Sequence, residues 1–242
     1  MAHFYLNEAI ETATVGDSVA IDGREARHAV TVSRIAVGER IAIGNGRGLM
    51  LEGPVVVAEH TELSIEVDSV VTDERATPAI ILVQALAKGD RDELAVQVST
   101  ELGVDAVVPW AASRSISRWE GSKVAKGHDR WVAIAREATK QSIRPWIPDV
   151  LDLVSTTQLA KLAGATRMLV LEPTAEVALT ALEPDERDLV VVVGPEGGIA
   201  PHELEALVAA GATLVRLGDG VLRTSTAGPA AIAVLSAKLA RW

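Results

Sequence analysis

Up to about residue 75, apolar and polar side chains alternate in short runs, at 18–21, 40–43, 53–58 and 64–70. Alternation at a period of two predicts strands with one buried face, and the Gly, Asp and Asn clusters between the runs predict turns. A single helix is predicted over 24–35, stopping near Gly38, and "GNGRG" at 44–48 reads as a tight turn between strands. The strand spacing is that of a small barrel, so residues 1–73 are expected to form a β-barrel domain. "VTDERATP", 71–78, is polar, ends in proline and serves as the expected linker.

From Ala79 the pattern changes. Apolar runs at 79–86, 106–110, 167–171, 189–193 and 212–217 alternate with helical stretches, predicting a second, α/β domain over 78–242. Leu94, Val98 and Leu102 recur at helical spacing over 88–104; further helices are predicted over 123–142, 201–210 and from the "TST" at 224–226 to the end. Thr226 is the expected cap of the last helix, which would place Pro229 in its first turn, with Ile232, Leu235 and Leu239 as the buried stripe. Near-continuous Val/Leu strands imply a mostly parallel sheet covered on both faces.

Composition narrows the class. The 242 residues are 48% hydrophobic and 3% aromatic, so the core is built from aliphatic side chains. There is no cysteine, which excludes disulfides and thiolate metal sites and fits a reducing compartment. No apolar run approaches membrane-spanning length and no secretory signal is visible, so a soluble cytoplasmic protein without membrane contact or metal is expected. The net charge is −10, yet the stretch 114–144 carries eight Lys/Arg against three acids. Such a strip suits a polyanion, with Trp119, Trp131 and Trp146 nearby as candidate stacking partners.

Three consecutive strands of the second domain run into unusual turns: Glu172–Pro173, "GPEGG" at 194–198 and "GDG" at 218–220. Ligands of open α/β sheets bind beyond the carboxyl ends of strands, so the three turns are expected to wall one pocket. "GPEGG" has neither dinucleotide-fold spacing nor a P-loop lysine. The carboxylates of Glu196 and Glu172 would oppose a phosphate, which favours a ligand without phosphate and with positive charge, such as S-adenosylmethionine.

"VGPEGGIAPHELEAL" followed by "RLGDGVLRTSTA" resembles the RsmE family of SPOUT RNA methyltransferases, as do "REARHAVTVSRIAVGERIAIGNGRG", "KGDRDELAVQVSTELGV" and "EATKQSIRPWIPDV" in the same order along the whole chain. The resemblance implies a PUA-like N-terminal barrel, a SPOUT α/β domain with a C-terminal trefoil knot, a homodimer, and methylation of uridine N3 in 16S ribosomal RNA of the small subunit. Carried over by motif, Leu171, Glu172, Gly194, Pro195, Glu196, Gly197, Gly198, Ile199, Leu217, Gly218, Gly220, Val221 and Leu222 would enclose S-adenosylmethionine. Arg27, His28 and Arg34 in the first domain, with Lys140, Gln141 and Arg144 in the second, would face RNA. Arg223 and Arg144 are the candidate catalytic donors to a uracil carbonyl oxygen. No histidine stands out as a general base, since His128 and His202 read as polar residues at helix starts. The chain departs from the family at Ala200, where Ser or Thr usually caps the helix, and at Ser225, where glutamate is usual. The competing expectation is an RNA-binding or ribosome-assembly factor of the same fold without catalysis, which binding of S-adenosylmethionine would separate.

Overall fold

The computed structural model describes residues 3–242, which divide into two compact units: residues up to Arg75 with Thr139–Ile147, and Ala76–Ala138 with Pro148–Trp242. No helix among the described residues is long and apolar enough to cross a membrane.

In the first unit, strands β1 (His3–Leu6), β2 (Ser18–Asp22), β3 (Arg40–Gly44), β4 (Leu49–Ala58), β5 (Glu62–Glu66) and β6 (Ser69–Thr72) form one six-stranded sheet in the order β1-β3-β4-β5-β2, with β6 also paired to β4. All pairs are antiparallel except β1 with β3. The alternation seen in the sequence turns one set of side chains inward, among them Tyr5, Ile21, Ile43, Leu51, Leu63 and Ile65. The 44–48 turn is held by Asn45, whose side-chain oxygen accepts from Arg47 N at 2.7 Å and Leu49 N at 3.1 Å. The run expected as one strand at 64–70 is two, because Val67 and Asp68 turn aside to bond Asp17 and Glu52 carbonyls. The expected helix over 24–35 is shorter: α1 (Gly23–Arg27) continues as a π-helical turn, His28–Val32, and Arg34 then takes a left-handed φ of 58°.

The second unit holds a six-stranded sheet, β7 (Ile80–Ala85), β8 (Ala106–Trp110), β9 (Asp149–Val150), β10 (Arg167–Leu171), β11 (Leu189–Val193) and β12 (Thr213–Val215), in the order β12-β10-β11-β7-β8-β9. Every pairing is parallel. Alternate residues of β11 enter two different cores: Leu189, Val191 and Val193 on one face, Val190 and Val192 on the other. Helices α2 (Arg91–Glu101), α3 (Ser122–Gln141) and α6 (Thr224–Lys238) cover the first face, with Val96, Trp131 and Ile232 in its core. Helices α4 (Thr156–Leu162) and α5 (Pro201–Ala209) cover the second with Leu159 and Leu207.

Two expectations about the helices, the face of α2 and the start of the last helix, fail. Leu94 is 44% exposed; α2 instead turns Asp92, Ala95, Val96 and Ser99 inward, small residues that let it lie close against α6. The last helix begins at Thr224 with Arg223 as its cap, so Pro229 lies inside it rather than in its first turn.

Candidate functional site

The ends of β10, β11 and β12 converge, as the strand pattern led us to expect, on one cavity of about 400 Å³ in the second unit. Small-molecule sites span roughly 300–1,000 Å³. It lies beyond the carboxyl ends of the strands, next to the place where the sheet order reverses between β11 and β7. Its wall contains Leu171 at the end of β10 and Glu172 after it, Gly194, Pro195, Glu196, Gly198 and Ile199 after β11, and Leu217, Gly218, Gly220, Val221 and Leu222 after β12. Gly197 is the one expected cofactor position that does not line it. Arg223 does line it, together with Arg91, Arg216, Thr224 and Ala227.

Each turn is held by bonds that the local sequence supplies. Gly198 sits at φ 70°, where a side chain would be strained, and its N–H closes the turn onto Pro195 O at 2.9 Å. Gly194 has no room for a Cβ, which would stand 2.6 Å from Ile199 Cγ1. Arg216 Nη1 donates to Ala175 O and Glu176 O at 2.9 and 2.7 Å, fastening the turn after β12 to that after β10. The Glu172 side chain accepts from Thr174 N and Thr174 Oγ1, closing its own turn.

The glutamate of "GPEGG" has a different use from the one its charge suggested. Glu196 Oε1 accepts from the Arg91 guanidinium at 2.7 Å and from Lys88 N at 3.0 Å. Burial opposes its ionisation. The hydrogen bonds from its own N–H, Arg91 and Lys88 outweigh that and hold its carboxyl below the ordinary range. Its charge is thus met within the protein and clamps the turn to the start of α2. On the carboxylate side, a preference for a cationic ligand is left to Glu172.

A second glutamate, which the sequence did not single out, anchors the back of the site. Glu203 is 2% exposed and accepts from Ser113 N, Ser113 Oγ and Thr156 Oγ1 at 3.0, 2.7 and 2.6 Å, and from Ala200 N at 3.3 Å. Burial disfavours its charge, but these donors lower its pKa. The bond to Ala200 N is the half of a capping box that survives without Ser or Thr at 200. "PHEL" carried that signal.

Among the candidate catalytic residues, Arg223 faces the cavity, and no hydrogen bond or ion pair occupies its guanidinium among the described residues. Arg144 does not line the cavity; it lies in the 139–147 segment that clusters with the first unit. The same holds for Lys140 and Gln141, so all six expected RNA-facing residues fall in the first unit, not three in each. Arg27, His28, Arg34 and Gln141 are exposed there, whereas Lys140, with its side chain 8% exposed, is paired with Glu25 at 3.0 Å.

The tryptophans also have structural work. Trp131 is buried and meets Trp119 edge-on at 5.3 Å; Trp146 donates to Asp73 O and lies under the Arg75 guanidinium. His202 is exposed, and His128 bonds Val150 O at 3.0 Å.

Residues 74–236 match the family described as RNA methyltransferase domain. The chain is 39% identical over 245 residues to ribosomal RNA small subunit methyltransferase E of Mycobacterium bovis, covering 99% of this chain and 92% of that protein. It is 29% identical to the Bacillus subtilis protein of the same name, covering 98% and 96%. Among solved structures, ribosomal RNA small subunit methyltransferase E of Neisseria gonorrhoeae bound to S-adenosyl methionine superposes with a TM-score of 0.87, at 29% identity over 98% of both chains. A Legionella pneumophila chain in complex with bound cofactor SAM gives 0.86 at 27% identity, again over 98% of both. The matched domain and the full-length likeness together place the chain in the RNA methyltransferase family, among the small subunit methyltransferases E.

Proposed function

We propose that the chain transfers a methyl group from S-adenosylmethionine to N3 of a uridine in 16S ribosomal RNA of the small ribosomal subunit. The observation that carries this reading is the meeting of three strand ends in one cavity walled by the turns the family motifs supply. The lining suits the cofactor: aliphatic Val193, Ile199, Leu217 and Ala227 offer an apolar floor, and glycine backbone allows close approach. When bound there, S-adenosylmethionine supplies an electrophilic methyl group on a sulfonium.

The protein's part is positioning and electrostatics. N3 lies on the Watson–Crick edge and carries a proton, so the uracil must be unpaired and must lose that proton as it attacks. The unpaired Arg223 guanidinium is the donor to a uracil carbonyl oxygen as negative charge develops there. Solvent takes the proton, since neither His128 nor His202 lines the cavity.

In the same reading the first unit is PUA-like, and its exposed Arg27, His28, Arg34 and Gln141 meet RNA. The segment from β11 to α6 forms a trefoil knot. What supports it is that the chain leaves β12 at one edge of the sheet and returns to β11, where Thr224 bonds Gly194. The active form is a cytoplasmic homodimer, which would cover Val221 and Leu222, 79% and 44% exposed beside the cavity. The deciding experiment is methylation of small ribosomal subunits with the modified nucleotide mapped. Methylation at a site other than uridine N3 would displace the substrate assignment, and failure to bind S-adenosylmethionine would return the chain to a non-catalytic role.

A further inference from the structure

Gln84 is the last polar group one would expect in an apolar strand. It sits near the end of β7, fully buried, between Val193 of β11 and Pro109 of β8. Its Nε2 donates to Ala85 O at 3.1 Å and to Thr224 Oγ1 at 2.8 Å, and Thr224 Oγ1 in turn donates to Gly194 O at 2.8 Å. A backbone carbonyl only accepts, so the contact with Ala85 O settles which end of the amide carries the protons. A hydroxyl has one proton to give. With an N–H directed at the Thr224 oxygen, that proton is left to the Gly194 carbonyl.

We propose that Gln84 is a positioning residue for the cofactor cavity, acting through Thr224 to hold the Gly194 carbonyl and the start of α6 in place. The proposal rests on S-adenosylmethionine being the cofactor. Residue 195 is proline and donates no N–H, so the turn has no backbone donor at that position. Thr224 also directly follows Arg223, so one hydroxyl ties the cavity wall to the root of the arginine. The cost of the arrangement is visible: Gln84 Oε1 is buried without a partner among the described residues. An orphaned acceptor is unfavourable, and an aliphatic residue of similar size would avoid it. What the amide contributes here is therefore its donors.

The test compares wild type, Gln84→Met, Thr224→Val and the double variant by calorimetry with S-adenosylmethionine, and by backbone amide exchange in the cofactor-free protein. Each single substitution is expected to weaken binding about tenfold, the double no more than either alone, and the amides of residues 196–199 to exchange faster while those of β7 and β11 do not change. A purely structural loss would instead speed exchange throughout the sheet. Equal affinity with unchanged exchange, or losses that multiply in the double variant, would overturn the proposal. Should Gln84→Met fail to fold, Thr224→Val alone carries the exchange measurement. A wild type that does not bind S-adenosylmethionine would refute the cofactor reading, while exchange in the cofactor-free protein still decides the role of Gln84.

Discussion

Arg223 and Glu203 are both ionised groups at helix starts, and their surroundings send them to opposite uses. Arg223 is exposed at the cavity and its guanidinium has no partner among the described residues, so its charge remains available for a substrate oxygen. Arg223→Ala is expected to leave S-adenosylmethionine binding in place and lower kcat about 10²–10³-fold, as loss of an oxyanion donor does; unchanged turnover in a single-turnover assay would remove it from the reaction. Glu203 is enclosed by four donors, so its charge is spent on the fold. Glu203→Gln leaves some of those donors unmet and is expected to cost about 1–3 kcal/mol in denaturant unfolding. Because the folded state holds the Glu203 pKa down, its contribution is present above the unfolded carboxylate value of about 4.3 and is lost as pH falls through the folded value. The wild type should therefore lose stability in acid more steeply than the Gln variant. Gly194→Ala would drive its methyl group into the buried Ile199 and is expected to weaken cofactor binding and to cost about 1–3 kcal/mol of stability, read from thermal unfolding.

At the scale of elements, β strands, long helices and the buried stripe of α6 through Ile232 and Leu235 are legible, and the face of α2 is not. Continuous Val/Leu runs bounded by glycine turns read as buried strands, and glycine at 198 suits the left-handed backbone there, which strains a side chain. The two-residue β9 and the seven-residue α4 went unread, since segments so short carry too little periodicity to register. The face of α2 is not the one that Leu94, Val98 and Leu102 suggest. The helix actually packs through smaller residues three and four apart, the same period in a different phase. On α2 and α6 the hydroxyls of Ser99 and Ser236 are buried without a partner among the described residues. Ser99→Ala and Ser236→Ala are expected to be neutral or to raise stability by up to ~1 kcal/mol, read from thermal unfolding. A loss above that range would mean that the hydroxyls have partners the structure does not place.

For the whole molecule, net charge was a poor guide and local placement a better one. Several cations of the 114–144 strip are already engaged: Arg114 with Gly197 O, Arg118 with two carbonyls, Arg130 with Glu93 and Lys140 with Glu25. RNA binding is accordingly expected to depend on exposed Arg27 and Arg34. Affinity should fall with salt at a slope of roughly −0.7 per neutralised phosphate, and Ala at either position should flatten that slope by about one contact. A salt-independent affinity would exclude phosphate contacts. What no local pattern could announce is the order of pairing, since β11 enters between β10 and β7 only by contacts distant in sequence. The same is true of the segment 139–147, which completes the first unit after some sixty residues of the second. It brings Lys140 to Glu25, Trp146 to Asp73 and Ile147 against Gly46. A gene cut at residue 75 would thus yield a first unit stripped of the segment that packs on Glu25, Asp73 and Gly46, expected to be poorly folded by amide-proton dispersion in NMR. The two units cannot be shuffled between relatives by a single crossover. Recombination or domain grafting has to carry the distant strip along with the sheet it completes.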